Sequence, residues 1–300
     1  MKILLTANKT YRGFIDTTWW YFFMPLEEMG HNVCFYDTVH GADKSYSEII
    51  DSFKPDLIFC IMTGDANIAP KEPWTEILKE TNSGRTKTFN WFCDDTWRFD
   101  NFSKIACKYF TVCSTPEYDA VSKYKNIGYS NIVEANWHAN SSFYKPTEFG
   151  DRTIPISFIG GITPIRKHFF NCINHEVKNF SKISQNEMYE VHCNSRMGLN
   201  LSINDNDPLR KTQMKQRVFE ITAAGATLFT QYHKGIERYF EIDKEILTFK
   251  TPDEFNKKLS FLLSRPQLVK SIGSKGHKRF LQEHDSKKRL HKLLEKIKNI

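Results

Sequence analysis

The 300-residue chain contains no run of 18 or more apolar residues, so no membrane-spanning helix is expected. Its opening, Met-Lys-Ile-Leu-Leu-Thr-Ala-Asn-Lys, has too short an apolar stretch for a secretory leader and reads as a first strand. Cysteine is sparse: seven residues, with no Cys-x-x-Cys pair. Cys107 and Cys113 are the closest two, and nothing near them completes a zinc site, so no metal ligand set is expected. An odd cysteine count in a chain this long points to a reducing, cytoplasmic setting rather than a disulfide scaffold. No Gly-x-Gly-x-x-Gly follows the first strand, where Ala7 to Gly13 stands instead; this argues against an NAD-dependent dehydrogenase. Short internal repeats and low-complexity segments are also missing.

A hydrophobic content of 40% is enough for real cores, and the length suits one large domain or two of about 150 residues. The net charge of +7 is unevenly placed. Residues 265–300 hold eleven Lys and Arg against three Asp and Glu, leaving 31 basic and 32 acidic residues elsewhere. Leu290, Leu293, Leu294 and Ile297 recur there at helical spacing, which predicts a basic amphipathic helix over 285–300. Its polar face is either simply solvated or a surface for an anionic acceptor, such as nucleic acid, a phosphorylated lipid surface or an acidic glycan.

Strand and helix patterns alternate along the chain. Residues 2–7, 33–36 and 55–62 read as strands, with helices over Phe14 to Met29 and Tyr46 to Phe53 between them. Trp19, Trp20, Tyr21 and Phe22 read as core of the first helix. Further strands are expected over 88–92, Cys107 to Cys113 and 131–135, with a helix from Ser114 through Tyr124. The pattern restarts with strands at 154–159 and 197–203, a short one over Tyr189 to His192, and a polar loop over 204–208. Such alternation predicts parallel sheets with helices on both faces. Parallel sheets place ligands beyond the carboxyl ends of their strands, so the loops after the strands carry the candidate chemistry.

The densest signal lies in residues 215–230. Val218, Phe219, Ile221 and Thr222 surround one carboxylate, Glu220, in a short helix that Gly225 closes before an apolar strand. A carboxylate in apolar surroundings costs free energy unless something pairs with it, and the two hydroxyls of a ribose pair well. Arg217 lies three residues earlier, on the same helix face. Upstream, Gly160-Gly161 stands where a strand feeds a helix, with Arg166 and Lys167 on its first turn; glycine there lets backbone N–H groups approach a phosphate.

Arg217-Val218-Phe219-Glu220 with Ala224-Gly225-Ala226 resembles the donor-binding signature of glycosyltransferases of the GT-B fold. The closest branch is that of the spore-maturation CgeB-like proteins, which have a glycosyltransferase family 1-type C-terminal domain. Gly235-Ile236-Glu237, Thr251-Pro252-Asp253-Glu254, Gly276-His277-Lys278-Arg279 and His284 extend the resemblance over most of 155–290. It implies an α/β protein with two Rossmann-like domains whose parallel sheets face each other across a cleft. The expected bounds are 1–147 for an acceptor-side domain, 148–284 for a nucleotide-sugar domain, and 285–300 for the basic helix. The donor-binding residues implied are Gly160, Gly161, Arg166, Lys215, Arg217, Phe219 and Glu220, with Glu220 on the ribose and the arginines on the diphosphate. One departure is that Thr212 stands where many retaining members carry a second glutamate, eight residues before Glu220.

On the acceptor side, Asp94 and Asp95 follow a strand and are candidate acid/base groups; either could instead cap a helix. His138 at the interdomain turn is a third catalytic candidate, and Gly13 and Thr10 are expected to line the acceptor side. The resulting expectation is a retaining, metal-independent hexosyl- or pentosyltransferase that needs no cofactor beyond its donor. That donor is a nucleoside-diphosphate sugar, with a UDP-sugar foremost, and the acceptor is a glycan or nucleic acid, including a hydroxymethylated base in DNA. A non-catalytic nucleotide-sugar binding protein is the alternative.

Overall fold

Short runs rich in β-branched and aromatic residues build two all-parallel sheets in the computed structural model, which describes residues 1–204, 207, 209 and 211–300. The first sheet holds β1 (Lys2–Ala7), β2 (Asn32–Asp37), β3 (Leu57–Cys60), β4 (Lys87–Trp91), β5 (Val112–Thr115) and β6 (Ile132–Glu134) in the order β2-β1-β3-β4-β5-β6. The second holds β7 (Ile154–Ile159), β8 (Lys178–Phe180), β9 (Ser195–Asn200), β10 (Thr227–Gln231) and β11 (Leu247–Phe249) in the order β8-β7-β9-β10-β11. The central strands β1, β3, β4 and β5 are buried almost throughout, as expected when helices cover both faces of a parallel sheet. In each sheet the winding reverses direction between the first strand and the third. That opens a crevice at the carboxyl ends of β1 and β3, and another at those of β7 and β9.

The chain divides into two compact units, Met1–Asn136 with Ser286–Ile300, and Trp137–Asp285. The division thus falls ahead of the expected 147/148 boundary. The C-terminal segment, expected as a piece of its own, belongs to the first unit.

Helix starts follow local chemistry. In the first unit, α1 (Met24–Glu28) carries Pro25 in its first turn, where the missing N–H costs nothing. Helix α2 (Tyr46–Phe53) opens with a capping box of Ser45 and Glu48; α3 (Trp74–Ser83), α4 (Asp95–Arg98) and α5 (Ala120–Asn126) follow. The second unit has α6 (Pro164–Asn171), α7 (Gln185–Asn194), α8 (Arg217–Ala223), α9 (Pro252–Leu263) and α10 (Pro266–Arg279). The last helix, α11 (Ser286–Lys298), packs on the first unit, burying Leu290, Leu293, Leu294 and Ile297.

Four expectations are corrected. Tyr189 to His192 is not a strand but part of α7: Ser184 and Glu187 form a capping box, and Met188, Tyr189, His192 and Cys193 bury one helical face. Cys107 to Cys113 is not one strand, because Cys107–Tyr109 is a 3₁₀ turn and the ladder starts at Val112. Ser114 and Thr115 then stay in that ladder, paired with Val133 and Glu134, and the helix waits until Ala120. The helix expected from Phe14 is replaced at its start by a hairpin in which Tyr11 pairs with Phe14. Arg12 (φ 50°) and Gly13 (φ 83°) supply the two left-handed residues of a tight turn. The helix proper is wound as a π-helix over Trp19–Phe23, with Tyr21 and Phe22 buried. The expected polar loop over 204–208 includes residues outside the described set.

In the second unit α8 is pinned at its C-terminus. Gly225 is left-handed (φ 65°), as the stop at this position requires. The buried Arg152 donates from Nη2 to the Ala224 carbonyl (3.1 Å) and from Nη1 to the Ser195 carbonyl (2.8 Å), and His277 Nδ1 lies 2.9 Å from the Thr222 carbonyl. Helix α10 comes close enough to reach Thr222 because Gly273 faces Thr227 on β10 and Gly276 faces the Glu245 carbonyl. A methyl group on Gly273 would sit 2.7 Å from Thr227 Oγ1, and one on Gly276 would overlap the Glu245 carbonyl oxygen.

Gly276→Ala is therefore expected to cost about 1–3 kcal/mol or more, since a backbone carbonyl cannot rotate aside; urea unfolding read by circular dichroism measures it. A second expectation concerns His192, which burial, with Arg217's charge adding, pushes down to about 3. The unfolded chain takes up this proton near its ordinary pKa of 6.5, whereas the folded chain stays neutral until about 3. Stability from this group is thus lost as pH falls from about 6.5 toward 3, by up to about 1.4 kcal/mol per pH unit. Urea unfolding at several pH values should show the acid slope reduced by one proton in His192→Gln.

Candidate functional site

The second unit's crevice is built on Gly160, the residue after β7. Its φ of +153° lies outside the range that residues with side chains readily adopt. A Cβ at this position would lie 2.8 Å from Arg217 Nη2 and 3.4 Å from Arg166 Nη1, so the two guanidinium groups bracket the glycine. Arg166, from the first turn of α6, donates from Nη1 to the Gly161 carbonyl (2.8 Å). Arg217, the first residue of α8, donates from Nη1 to Asn200 Oδ1 (3.1 Å) at the end of β9. Both cations also lie over the buried Phe158 ring, Arg217 at 4.8 Å and Arg166 at 5.6 Å from its centroid. Asn200 is fully buried and is oriented by Nδ2 donating to Thr230 Oγ1 (2.9 Å).

These contacts place two like charges at a half-buried point. Burial, then repulsion from Arg166, pulls the Arg217 guanidinium down to about 10, with Glu220 acting in the opposite direction. An anion of two or more negative charges would relieve that repulsion. Thr163, the N-cap of α6, makes no capping bond to the helix, and its buried Oγ1 has no hydrogen-bond partner. The start of α6 thus offers a hydroxyl together with the free N–H groups of a helix N-terminus.

Glu220 stands one turn after Arg217 on α8 and is buried. Lys215 precedes the helix and is half-buried. Phe219 does not meet the expectation of a donor contact. Its side chain is wholly buried, with its ring 5.3 Å from His284, 6.1 Å from Phe240 and 6.1 Å from Tyr239. It anchors α8 from behind. Gly161 is exposed beside Gly160, so the structure brings together Gly160, Gly161, Arg166 and Arg217 and sets Glu220 one turn along the same helix.

The first unit holds the acceptor-side candidates. Thr10 and Gly13 belong to the hairpin after β1, where Tyr11, Phe14 and Ile15 are exposed. Asp94 is the half-buried residue before α4; its carbonyl accepts from the Trp97 and Arg98 N–H groups, and its side chain makes no capping bond. Asp95 is corrected as a catalytic candidate: it is 1% exposed, and its Oδ2 accepts from the Tyr124 hydroxyl (2.7 Å). Burial raises its carboxyl above the usual range. It holds α4 down and has no face open to an acceptor. His138 lies in the second unit, buried, just before the bridge from Ala139 to Asp285.

Sequence reasoning missed three residues. Asn200 and Phe158 orient the arginines, yet a polar strand end and a core phenylalanine carry no motif. Asp16, after the hairpin, accepts from the Thr18 N–H (2.9 Å), and burial raises its carboxyl. Burial, with the Asp94, Asp95 and Asp16 carboxylates adding, keeps Cys93 protonated, so these acids gather at one edge of the first sheet. The Asp-Thr-Thr run at 16–18 was the available signal, as a side-chain cap ahead of a helix. Among the described residues no group of three His, Cys, Asp or Glu could hold a metal ion, and no helix is long and apolar enough to cross a membrane.

Residues 154–295 match a family model described as glycosyl transferase-like. No curated protein sequence matches the chain. Among solved structures, Anabaena HepE in complex with UDP and glucose is similar over 100% of both chains, at 9% identity and a TM-score of 0.66. A glycosyltransferase from Rickettsia africae is similar over 99% of this chain and 98% of its own, at 12% identity and a TM-score of 0.64. T4 phage BGT in complex with its UDP-glucose substrate is similar over 99% of each chain, at 15% identity and a TM-score of 0.63. At these identities the likeness shows the fold, which is that of the GT-B glycosyltransferases. The narrower CgeB-like label finds no support among these matches.

Gly160→Ala should push the Arg217 guanidinium off its Asn200 partner. Calorimetric titration with inorganic pyrophosphate, an anion of the charge this pair of guanidinium groups suits, is expected to show at least tenfold weaker binding than the wild type, with the unfolding midpoint lowered by only a few degrees.

Proposed function

We propose that this chain, a protein of the GT-B glycosyltransferase fold, transfers a hexosyl group from a UDP-sugar to a hydroxyl acceptor. The observation that carries this reading is the pair of guanidinium groups bracketing Gly160 at the switch point of the second sheet, with Glu220 one turn further along α8. The diphosphate gains negative charge as the glycosidic bond breaks. Preorganised cations and helix N–H groups aimed at that charge stabilise the transition state more than the ground state. Arg166 and Arg217 supply the positive charge, so turnover is proposed to need no metal. Glu220 accepts hydrogen bonds from the ribose hydroxyls. The proposal of UDP is supported by the UDP and UDP-glucose held in the Anabaena and T4 structures of the same fold.

On the acceptor side Asp94 is proposed as the group that receives the hydroxyl proton, because it is the more accessible of the adjacent pair and sits beside other carboxylates. Retention of the anomeric configuration is proposed from the resemblance of residues 217–226, and proton NMR of the product reads it. The acceptor hydroxyl is proposed to lie on a glycan or on a base in nucleic acid.

A thermal-shift screen of UDP, GDP, ADP, TDP and CDP tests the donor. Ligand at about 100 times its Kd should stabilise the fold by roughly 2.7 kcal/mol. A UDP-selective shift that disappears in Arg217→Ala and shrinks in Glu220→Ala is expected; no shift from any nucleotide overturns the reading. With a competent acceptor, Arg217→Ala should lower kcat by about 10²–10³, Asp94→Asn by about 10²–10⁴, and EDTA should leave the rate unchanged.

A further inference from the structure

We infer that the hairpin after β1 is a stacking platform for a hexose ring of a neutral glycan, with Tyr11 and Phe14 as its two rings. It rests on the proposed function only in making that glycan the acceptor. The first observation is exposure. Tyr11, Phe14 and Ile15 stand 40%, 39% and 43% exposed on one short hairpin. The other exposed large apolar residues of the first unit, Met1, Ile105, Ile127 and Ile300, are scattered and carry no ring. The rings that follow the hairpin are used in packing instead: Trp19 stacks on Phe23 at 4.1 Å between centroids, and Phe22 meets Trp91 edge-on at 5.1 Å.

The second observation is how the hairpin is held. Tyr11 and Phe14 are directly opposite in the ladder, so their side chains project from one face, and those of Thr10 and Ile15 from the other. The base is tied to the edge of the sheet. The Asp16 N–H donates to the Lys9 carbonyl (2.9 Å), the Lys9 N–H donates to Asp37 Oδ1 (3.1 Å), and Thr10 Oγ1 lies 3.4 Å from His40 Nε2. Arg12, at the turn, places its guanidinium 5.0 Å from the Tyr11 ring centroid. Two rings on one face of an anchored hairpin are in position before a ligand arrives, so little ordering entropy opposes binding.

Three features select the partner. Charges around the hairpin nearly cancel: Lys9 and Arg12 lie beside Asp16 and Asp37, and Arg98 lies with Asp94 and Asp95 near Cys93. A polyanion needs a basic surface, which this edge does not present. Arg12 occupies the turn itself, the point that would enter a bilayer first, where a guanidinium is costly. The exposed parts of Tyr11, Phe14 and Ile15 amount to about 250 Å², well short of the roughly 800 Å² per partner that a stable dimer buries. A hexose fits all three. It is uncharged, one face of its ring offers C–H groups to the electron-rich face of an aromatic ring, and its edge hydroxyls suit carboxyl and guanidinium partners such as Asp16 and Arg12.

The test is saturation-transfer NMR and calorimetric titration with cellotetraose, maltotetraose, chitotetraose and mannotetraose, each with and without UDP. At least one of these should bind, and the double substitution Tyr11→Ala, Phe14→Ala should weaken it at least tenfold. Phe14→Tyr should keep most of the affinity, because the stacking ring is retained. With a competent UDP-sugar, the double variant should raise KM for that oligosaccharide by more than it lowers kcat, as a loss of uniform binding does. Its melting temperature and its UDP-induced shift should match those of the wild type, which separates lost stacking from lost folding. Binding of none of the oligosaccharides in either condition, or equal binding by the double variant, overturns the inference. So does tighter binding to decathymidylate or to phosphatidylcholine vesicles than to the oligosaccharide, or a dimer in sedimentation that the double variant dissociates. If the oligosaccharide binds through the hairpin but UDP gives no shift, the platform stands and the glycosyltransfer reading falls.

Discussion

Two arginines held either side of one glycine are the constraint on which the second unit depends. Like charges at a half-buried point repel, and burial adds to the cost, as the lowered Arg217 guanidinium records. The fold keeps them there by fixing everything around them. Asn200 accepts from one, the Gly161 carbonyl accepts from the other, and the Phe158 ring lies beneath both. Helix α8 cannot retreat, because Arg152 and His277 hold its last carbonyls and the glycines of α10 let that helix press close behind it. The stored repulsion favours a multiply charged anion at this point, which the diphosphate of the proposed donor would supply.

The first unit uses the same sheet winding for a different chemistry. Carboxylates gather at the carboxyl edge of its strands, Asp16 and Asp94 partly accessible and Asp95 beneath them. Burial divides their roles. Asp95 is buried and bonded to Tyr124, whereas Asp94 is half-buried and is the residue proposed to receive the proton. The proposed glycosyl transfer assigns the cationic edge of the second unit to the leaving diphosphate and the acidic edge of the first to the incoming hydroxyl. Helix α11 packs its apolar residues into the first unit.

Much of the fold was legible in the residues. Apolar runs bounded by Gly and Asp marked most strands, and Gly225 and the Ser45–Glu48 box marked helix ends. The misreadings have local causes. Tyr189 to His192 carries enough apolar residues for a strand, and only the capping box of Ser184 and Glu187 just upstream shows that the helical period governs. Phe14 looked like the first residue of an aromatic helix, but the left-handed pair Arg12-Gly13 turned it back into a hairpin.

Of the candidate site, the sequence alone determined the chemical inventory: a glycine pair after a strand, an arginine on the next helix, and an Arg-x-x-Glu helix start ending in glycine. These are local patterns, because helix capping, phosphate-binding turns and i, i+3 spacing act over a few residues. Only the tertiary structure decided which members are usable. It brought Arg166 and Arg217 together across 51 positions of sequence, turned Phe219 into the core, sank Asp95 beneath α4, and returned α11 to the first unit. Burial and approach between distant segments depend on how sheets and helices pack, and no short-range pattern encodes that.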